Sequence, residues 1–198
     1  MDRDFYIFSD IDSTFEGSVQ GFKKFNNAVS RLEECVGDVK IYFTSGTTSE
    51  DFVQRIAWLQ KNAPEIYDRV QGAVLSDGFM RKHDEMPIQI KSAYKEHSKK
   101  KACDFLLANI RSGYISGIIY MGDDAEDVKG MNFMKNFDQY FPFGVHTIMP
   151  ANSKFDRMKK GVDFYSHTRK IEGCAEGVLR VADKIEEKLL NFEIEKEK

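Results

Sequence analysis

Two carboxylates one residue apart, in Asp10-Ile-Asp12-Ser-Thr14, follow directly on the apolar run Phe5-Tyr-Ile-Phe8. Where a buried strand ends, such a pair can share a divalent cation and still leave one oxygen free to attack phosphorus. Like charges held this close repel unless a cation or a shared proton intervenes, so the pair serves chemistry better than stability. Three more polar clusters occupy comparable places. Thr44-Ser45-Gly46-Thr47 follows Lys40-Ile-Tyr-Phe43, and Gly122-Asp123-Asp124-Ala-Glu126-Asp127 follows Gly117-Ile-Ile-Tyr-Met121. Ser98-Lys99-Lys100-Lys101 opens a stretch of helical spacing.

Each cluster also has an ordinary structural meaning. A DxD pattern arises by chance in an acidic chain, Ser45 or Thr47 serves as the cap of a following helix, and Gly-Asp-Asp is a common turn sequence. The lysine run is harder to explain that way. Cations at a helix N-terminus are disfavoured by a few tenths of a kcal/mol or more each, so a nearby anion accounts for them better than solvation does.

The elements that must position these clusters alternate along the chain. Short apolar, β-rich runs predict strands near 4–10, 39–45, 72–76, 117–122, 144–149 and 162–166. Between them, Phe22, Phe25, Val29 and Leu32 recur at helical spacing over 19–36, and Phe52, Val53, Ile56 and Leu59 over 50–61. A third helix is expected after Ser98 as N-cap, with Ala102, Phe105, Leu106 and Ile110 facing inward, and a last one from about Glu172 to Phe192. The expected fold is α/β, a Rossmann-like, mostly parallel sheet flanked by helices. Residues 78–91 break the alternation and read as a projecting β-hairpin. The expected organisation is a single domain over 1–192 with that hairpin as its insert, and a fraying charged tail over 193–198. In an open parallel sheet, ligands gather at the carboxyl ends of the strands, which is where the polar clusters stand.

Composition narrows the classes of function. The 198 residues and 41 % hydrophobic content are enough for a full core. With 29 basic residues mixed among 32 acidic ones and a net charge of −3, the chain lacks the basic field that nucleic-acid binding uses. Cys35, Cys103 and Cys174 are odd in number and in no CxxC arrangement, so neither a disulfide framework nor a zinc site is expected. A reducing cytoplasm fits best. No apolar window is long enough to span a bilayer, and the opening Met-Asp-Arg-Asp is unlike a signal peptide. His83, His97, His146 and His167 show no ligand spacing, and the aromatic group Phe133, Phe137, Tyr140, Phe141 and Phe143 reads as core and loop anchoring, while Trp58 reads as packing on the sheet, with an interface as the alternative.

Carboxylates, hydroxyl, lysine and carboxylates, in that order on an α/β skeleton, resemble the haloacid dehalogenase (HAD) superfamily of phosphohydrolases over nearly the whole chain. The Cof-like, sugar-phosphatase branch is nearest. Phe43 to Thr47 resembles its xxTGR, Lys99-Lys-Lys-Ala102 its KGxAL, Gly122 to Asp127 its GDxxND, and Ile148-Met-Pro-Ala-Asn152 its xMxNA. The resemblance implies Asp10 as nucleophile and Asp12 as general acid/base. It implies Mg²⁺ held by Asp10, the backbone carbonyl of Asp12 and Asp123, and a phosphoryl group bound by Ser45, the neighbouring Gly46 amide and Lys99. Thr14, Asp124 and Asp127 would support that site from behind, Asp127 by orienting Lys99.

There are departures from the branch. Thr47 stands where it often has arginine and Glu126 where it often has asparagine, and Lys100 competes with Lys99 for the lysine role. Residues 48–98 leave no room for a full cap, so the site should be open, as in small capless relatives that close it with a neighbouring subunit. The corresponding expectation is a homo-oligomer with the 79–91 hairpin near a partner's site. The expected activity is Mg²⁺-dependent hydrolysis of a small phosphorylated metabolite, a sugar phosphate, through an aspartyl phosphate. The alternatives are a phosphomutase, against which the missing cap argues, and a non-catalytic metal- or phosphate-binding regulatory module, against which Asp12 argues. A receiver domain orders its acidic residues differently, and a P-type ATPase core usually has threonine in place of Asp12.

Overall fold

Alternation along the first strand decides the layering. In the computed structural model, which describes residues 4–88, 98–110, 115–151 and 162–196, β1 (Asp4–Ser9) sends Phe5 and Ile7 to one face and Tyr6 and Phe8 to the other. Both faces are covered. On the Phe5 side lie α1 (Val19–Val36), α2 (Ser49–Asn62), α3 (Pro64–Arg69) and α6 (Lys170–Lys196); on the Tyr6 side lie α4 (Lys99–Asn109) and α5 (Ala125–Lys135). Burial on both faces explains why the strand sequences read as apolar runs without a polar alternate.

The sheet has seven strands. β2 (Val39–Thr44), β3 (Val70–Leu75), β4 (Gly78–Arg81), β5 (Ile115–Met121), β6 (Val145–Met149) and β7 (Phe164–Tyr165) join β1 in the order β4-β3-β2-β1-β5-β6-β7, and every pairing is parallel except β3 with β4. This is the expected Rossmann-like α/β arrangement. Register matters most at the centre: Ser9 pairs with Phe43 on one side and Met121 on the other, so Asp10, Thr44 and Gly122 leave the sheet side by side.

Capping and packing fix the neighbouring helix and loop. Ser18 accepts a hydrogen bond from the Gly21 amide at 2.9 Å to start α1, and Gly37, at φ 82°, ends it. The buried face of α1 receives Phe15, whose ring lies 5.4, 5.3 and 4.9 Å from those of Phe22, Phe25 and Phe43. Burying such a side chain contributes about 1.5–3 kcal/mol, and it follows Thr14 directly. The loop that bears Asp10 and Asp12 is therefore anchored by the core a residue after it turns.

Several expectations needed adjustment. Strands shift by one or two residues, and α3, with Pro64 in its first turn, was not anticipated. The first arm of the expected 78–91 hairpin joins the sheet as its edge strand, β4, antiparallel to β3, and the return meets β4 at one antiparallel bridge, Phe79 with Ile88; residues 89–91 lie outside the described ones. The last helix runs past Phe192, since α6 continues to Lys196; 197–198 lie outside the described residues. Among the described residues nothing else is inserted between β3 and α4, and no helix is long and apolar enough to cross a membrane.

Candidate active site

The side-by-side exits of β1, β2 and β5 bring five expected residues into one cluster. Asp10 is anchored by its amide, which donates to the Met121 carbonyl at 3.0 Å. Its carboxylate Oδ1 lies 2.5 Å from Lys99 Nζ, which also donates to the Thr44 carbonyl and stands 3.2 Å from Asp127 Oδ1. Carboxylate oxygens of Asp10, Asp123 and Asp127 all fall within 4.8 Å of one another, and all three residues are buried. Thr14 Oγ1 donates to Asp123 Oδ1 at 3.1 Å.

Local structure explains how each arrives. Lys99 starts α4 with its side chain directed into the carboxylates, while Lys100 turns outward over the Phe133 ring, 5.5 Å from its centroid. Ser98 occupies the N-cap position but makes no side-chain cap hydrogen bond, contrary to expectation; its carbonyl accepts from the Ala102 amide. At the far cluster, Asp124 caps α5 in a capping box with Asp127: Asp124 Oδ1 accepts from the Asp127 amide at 2.8 Å, and Asp127 Oδ2 accepts from the amides of Asp123 and Asp124 at 3.0 and 3.2 Å. Gly122 makes this possible. A Cβ there would meet Asp127 Cγ at 2.2 Å.

One residue that sequence reasoning missed, Tyr120, completes the buried side. Tyr120 Oη donates to Asp127 Oδ1 at 3.2 Å and pairs with Thr44 Oγ1 at 3.1 Å. Both oxygens of Asp127 are thus occupied by Lys99, Tyr120 and two amides, so it orients its neighbours more readily than it offers a ligand atom. A tyrosine inside the apolar run of β5 carries no mark of this, since its partners come from other elements.

The remaining expected residues lie at the edge of this cluster. Asp12 is exposed, two residues beyond the buried Asp10, and Ser13 between Asp12 and Thr14 takes φ 60°, a left-handed conformation that costs a non-glycine residue about 1 kcal/mol or more. Ser45 is buried, its Oγ accepting from the Thr47 amide at 3.3 Å and its own amide donating to the Val74 carbonyl, while Gly46 is exposed. Neither Ser45 nor Thr47 caps α2. That is Thr48, whose hydroxyl accepts from the Asp51 amide. Asn152 and His97 lie outside the described residues.

Electrostatics show what the cluster lacks. Burial pushes the Asp10 carboxyl up to about 6, with Lys99 opposing, and the Asp127 carboxyl up to about 7, where Lys99 again opposes and the Asp10 charge adds to the rise. Burial also disfavours the Lys99 ammonium, but Asp127 and Asp10 outweigh it and raise its pKa above the ordinary lysine value. One lysine gains from several carboxylates that its single charge does not satisfy. An all-oxygen donor set with excess negative charge fits a hard divalent cation such as Mg²⁺.

No family model and no curated protein matches the chain. Solved structures do. With 8 % identity and a TM-score of 0.55, over 91 % of this chain and 98 % of the other, it is similar to the sucrose-phosphatase from Synechocystis solved with sucrose and phosphate. It is similar at 10 % identity and a TM-score of 0.55 to the C-terminal domain of a trehalose synthase regulatory protein from Candida albicans, over 92 % of this chain and 94 % of that one. A haloacid dehalogenase-like hydrolase from Bacillus subtilis matches at 12 % identity and a TM-score of 0.53, over 91 % of each chain. At such identities the likeness is one of fold, and the fold is haloacid dehalogenase-like.

Proposed function

Starting from that fold, we propose that the protein is a Mg²⁺-dependent phosphomonoesterase that hydrolyses a small phosphorylated metabolite, a sugar phosphate, through an aspartyl phosphate on Asp10. The observation that carries this reading is the position of Asp10: buried, tied through Oδ1 to Lys99, and two residues from an exposed Asp12.

With Oδ1 held by Lys99, Asp10 has Oδ2 to attack phosphorus. The Oδ2–P bond forms as the bond from phosphorus to the leaving oxygen breaks, and Asp12 gives that oxygen its proton. Asp12 then takes a proton from the water that attacks the phosphorylated Asp10, releasing phosphate and restoring both carboxyl groups. Ser45 Oγ and the Gly46 amide are assigned to the phosphoryl oxygens, and Lys99 offsets the charge that grows on them. Asp127 holds Lys99 in place, Thr14 holds Asp123, and Asp124 acts through its cap on α5. Asp10, Asp123 and the Asp12 carbonyl would hold the Mg²⁺, which when bound supplies positive charge to the phosphoryl oxygens.

A reducing cytoplasm is the proposed compartment, supported by three free thiols. Closure of the open site by a second copy near β4 is the proposed assembly; sedimentation as a monomer at assay concentration would remove it. The activity itself is tested with p-nitrophenyl phosphate and Mg²⁺. Hydrolysis lost on EDTA addition and in Asp10→Asn supports the reading, whereas inactivity on this ester and on a broad phosphate panel favours a non-catalytic binding module.

A further inference from the structure

We propose that the face of α2 beside Asp12 is the leaving-group subsite, and that it selects an uncharged, hydroxyl-bearing ring while rejecting a second phosphate or a carboxylate. This inference rests on the phosphatase reading and deepens it. If Asp12 protonates the leaving oxygen, the rest of the leaving group must lie next to Asp12, and an open pocket of about 390 Å³ lies there, lined by Asp12, Thr47, Asp51, Gln54, Arg55 and Trp58 among others. Its size suits one small ring.

The helix presents these residues by its period. Asp51, Gln54 with Arg55, and Trp58 recur at three- and four-residue steps and share one face, while Phe52, Ile56 and Leu59 are buried on the other. Trp58 is half-buried and fixed against Phe22, with ring centroids 5.2 Å apart, so it offers the pocket a preset apolar surface. The C–H face of a sugar ring matches such a surface. Asp51 is preset as well: its Oδ2 accepts from Thr47 and Thr48 hydroxyls at 3.1 and 2.8 Å. Those hydrogen bonds, that from Thr48 foremost, lower its pKa and keep it ionised. Among the described residues no side chain donates to Asp51 Oδ1, which leaves it to accept from a ligand hydroxyl. Exposed Gln54 can donate and accept beside it.

Charge decides what is excluded. The carboxyl groups of Asp12 and Asp51 face the pocket, and its cation Arg55 is turned onto Glu16, with Nη2 3.2 Å from Glu16 Oε1. A second phosphate in the substrate would meet the ionised Asp51 without a committed cation to receive it. This also counts against a phosphomutase, whose intermediate is a bisphosphate.

The test compares kcat/KM with Mg²⁺ on acetyl phosphate, glucose 6-phosphate, 6-phosphogluconate, fructose 1,6-bisphosphate and phosphocholine. The expected result is glucose 6-phosphate at least tenfold better than 6-phosphogluconate, the bisphosphate or phosphocholine. Trp58→Ala should lower the ratio of glucose 6-phosphate to acetyl phosphate turnover about tenfold, and Asp51→Lys should raise the ratio of bisphosphate to glucose 6-phosphate turnover about as much, a reversal that mere loss of structure does not produce. Turnover of acetyl phosphate without that discrimination, or a preference for an anionic or cationic leaving group, overturns the subsite alone. No turnover of any of the five overturns the phosphatase reading and the subsite with it.

Discussion

Lys99 Nζ stands 2.5 Å from Asp10 Oδ1 and bridges it to Asp127, so one ammonium ties the end of β1 to the cap of α5. Removing one member of a buried charge cluster typically costs about 3–5 kcal/mol, because the partners are left unpaired. Lys99→Met should therefore lose that much stability at pH 8. The loss should shrink toward pH 5. Asp10 and Asp127 have folded-state pKa values raised to about 6 and about 7, so their contribution is present at low pH and is lost as pH rises through those values. Urea unfolding at both pH values checks this, and a loss independent of pH contradicts it.

Magnesium should raise the melting temperature of the protein. A ligand that binds only the folded state at a hundred times its Kd stabilises it by about 2.7 kcal/mol. Protons compete for the same carboxylates, so the shift should be larger at pH 8 than at pH 5.5. Asp123→Asn should abolish most of it. Thermal scans with Mg²⁺ and with EDTA provide the measurement, and an equal shift in the variant would place the ion elsewhere.

Asp12 separates activity from stability. It is exposed, and exposed substitutions usually change stability by no more than about 0.5 kcal/mol. Asp12→Asn should keep the wild-type unfolding midpoint yet lower kcat on p-nitrophenyl phosphate by about 10²–10⁴, the usual contribution of a general acid/base. Full activity in this variant rules out the assigned proton transfer.

His146 should make the fold acid-sensitive. Its Nε2 donates to the Phe143 carbonyl at 2.9 Å, a tautomer assigned from that acceptor, and its buried Nδ1 has no partner among the described residues. Burial, with Lys184 adding, lowers its pKa to about 4. The folded protein resists a proton that the unfolded chain accepts, so stability is full above about pH 6.5 and falls as pH drops from there to about 4, by at most about 3 kcal/mol. His146→Gln should flatten that part of the stability profile relative to wild type, as read by urea titrations between pH 4 and 7.

Elements with strong periodicity are legible in the sequence alone. The apolar spacing of Phe22, Phe25, Val29 and Leu32 marks α1, and the runs before Asp10, Thr44 and Gly122 mark the three central strands. What periodicity does not carry is the choice between adjacent residues of one type. Lys99 and Lys100 differ by about 100° around a helix, and the packing of α4 on the sheet decides which one is buried. Ser45, Thr47 and Thr48 are all competent caps, and the turn geometry after β2 selects Thr48. Tyr120 carries no mark in the sequence because its hydroxyl finds Asp127 and Thr44 only once the sheet and α5 are assembled. Trp58 was read as packing, which is half of its position: one side rests on Phe22 and the other opens beside Asp12.

The start of α6 bears on the loop of the first carboxylates. The Ile171 amide donates to the Glu16 carbonyl at 2.9 Å, Lys170 and Arg55 both pair with the Glu16 carboxylate, and Cys174 Sγ lies 3.8 Å from the Thr14 carbonyl. A ribosome delivers residues 10–14 well before residues 170–174. A nascent chain therefore carries every proposed reacting group before the segment that locks their loop has emerged, and competence waits for α6 to dock.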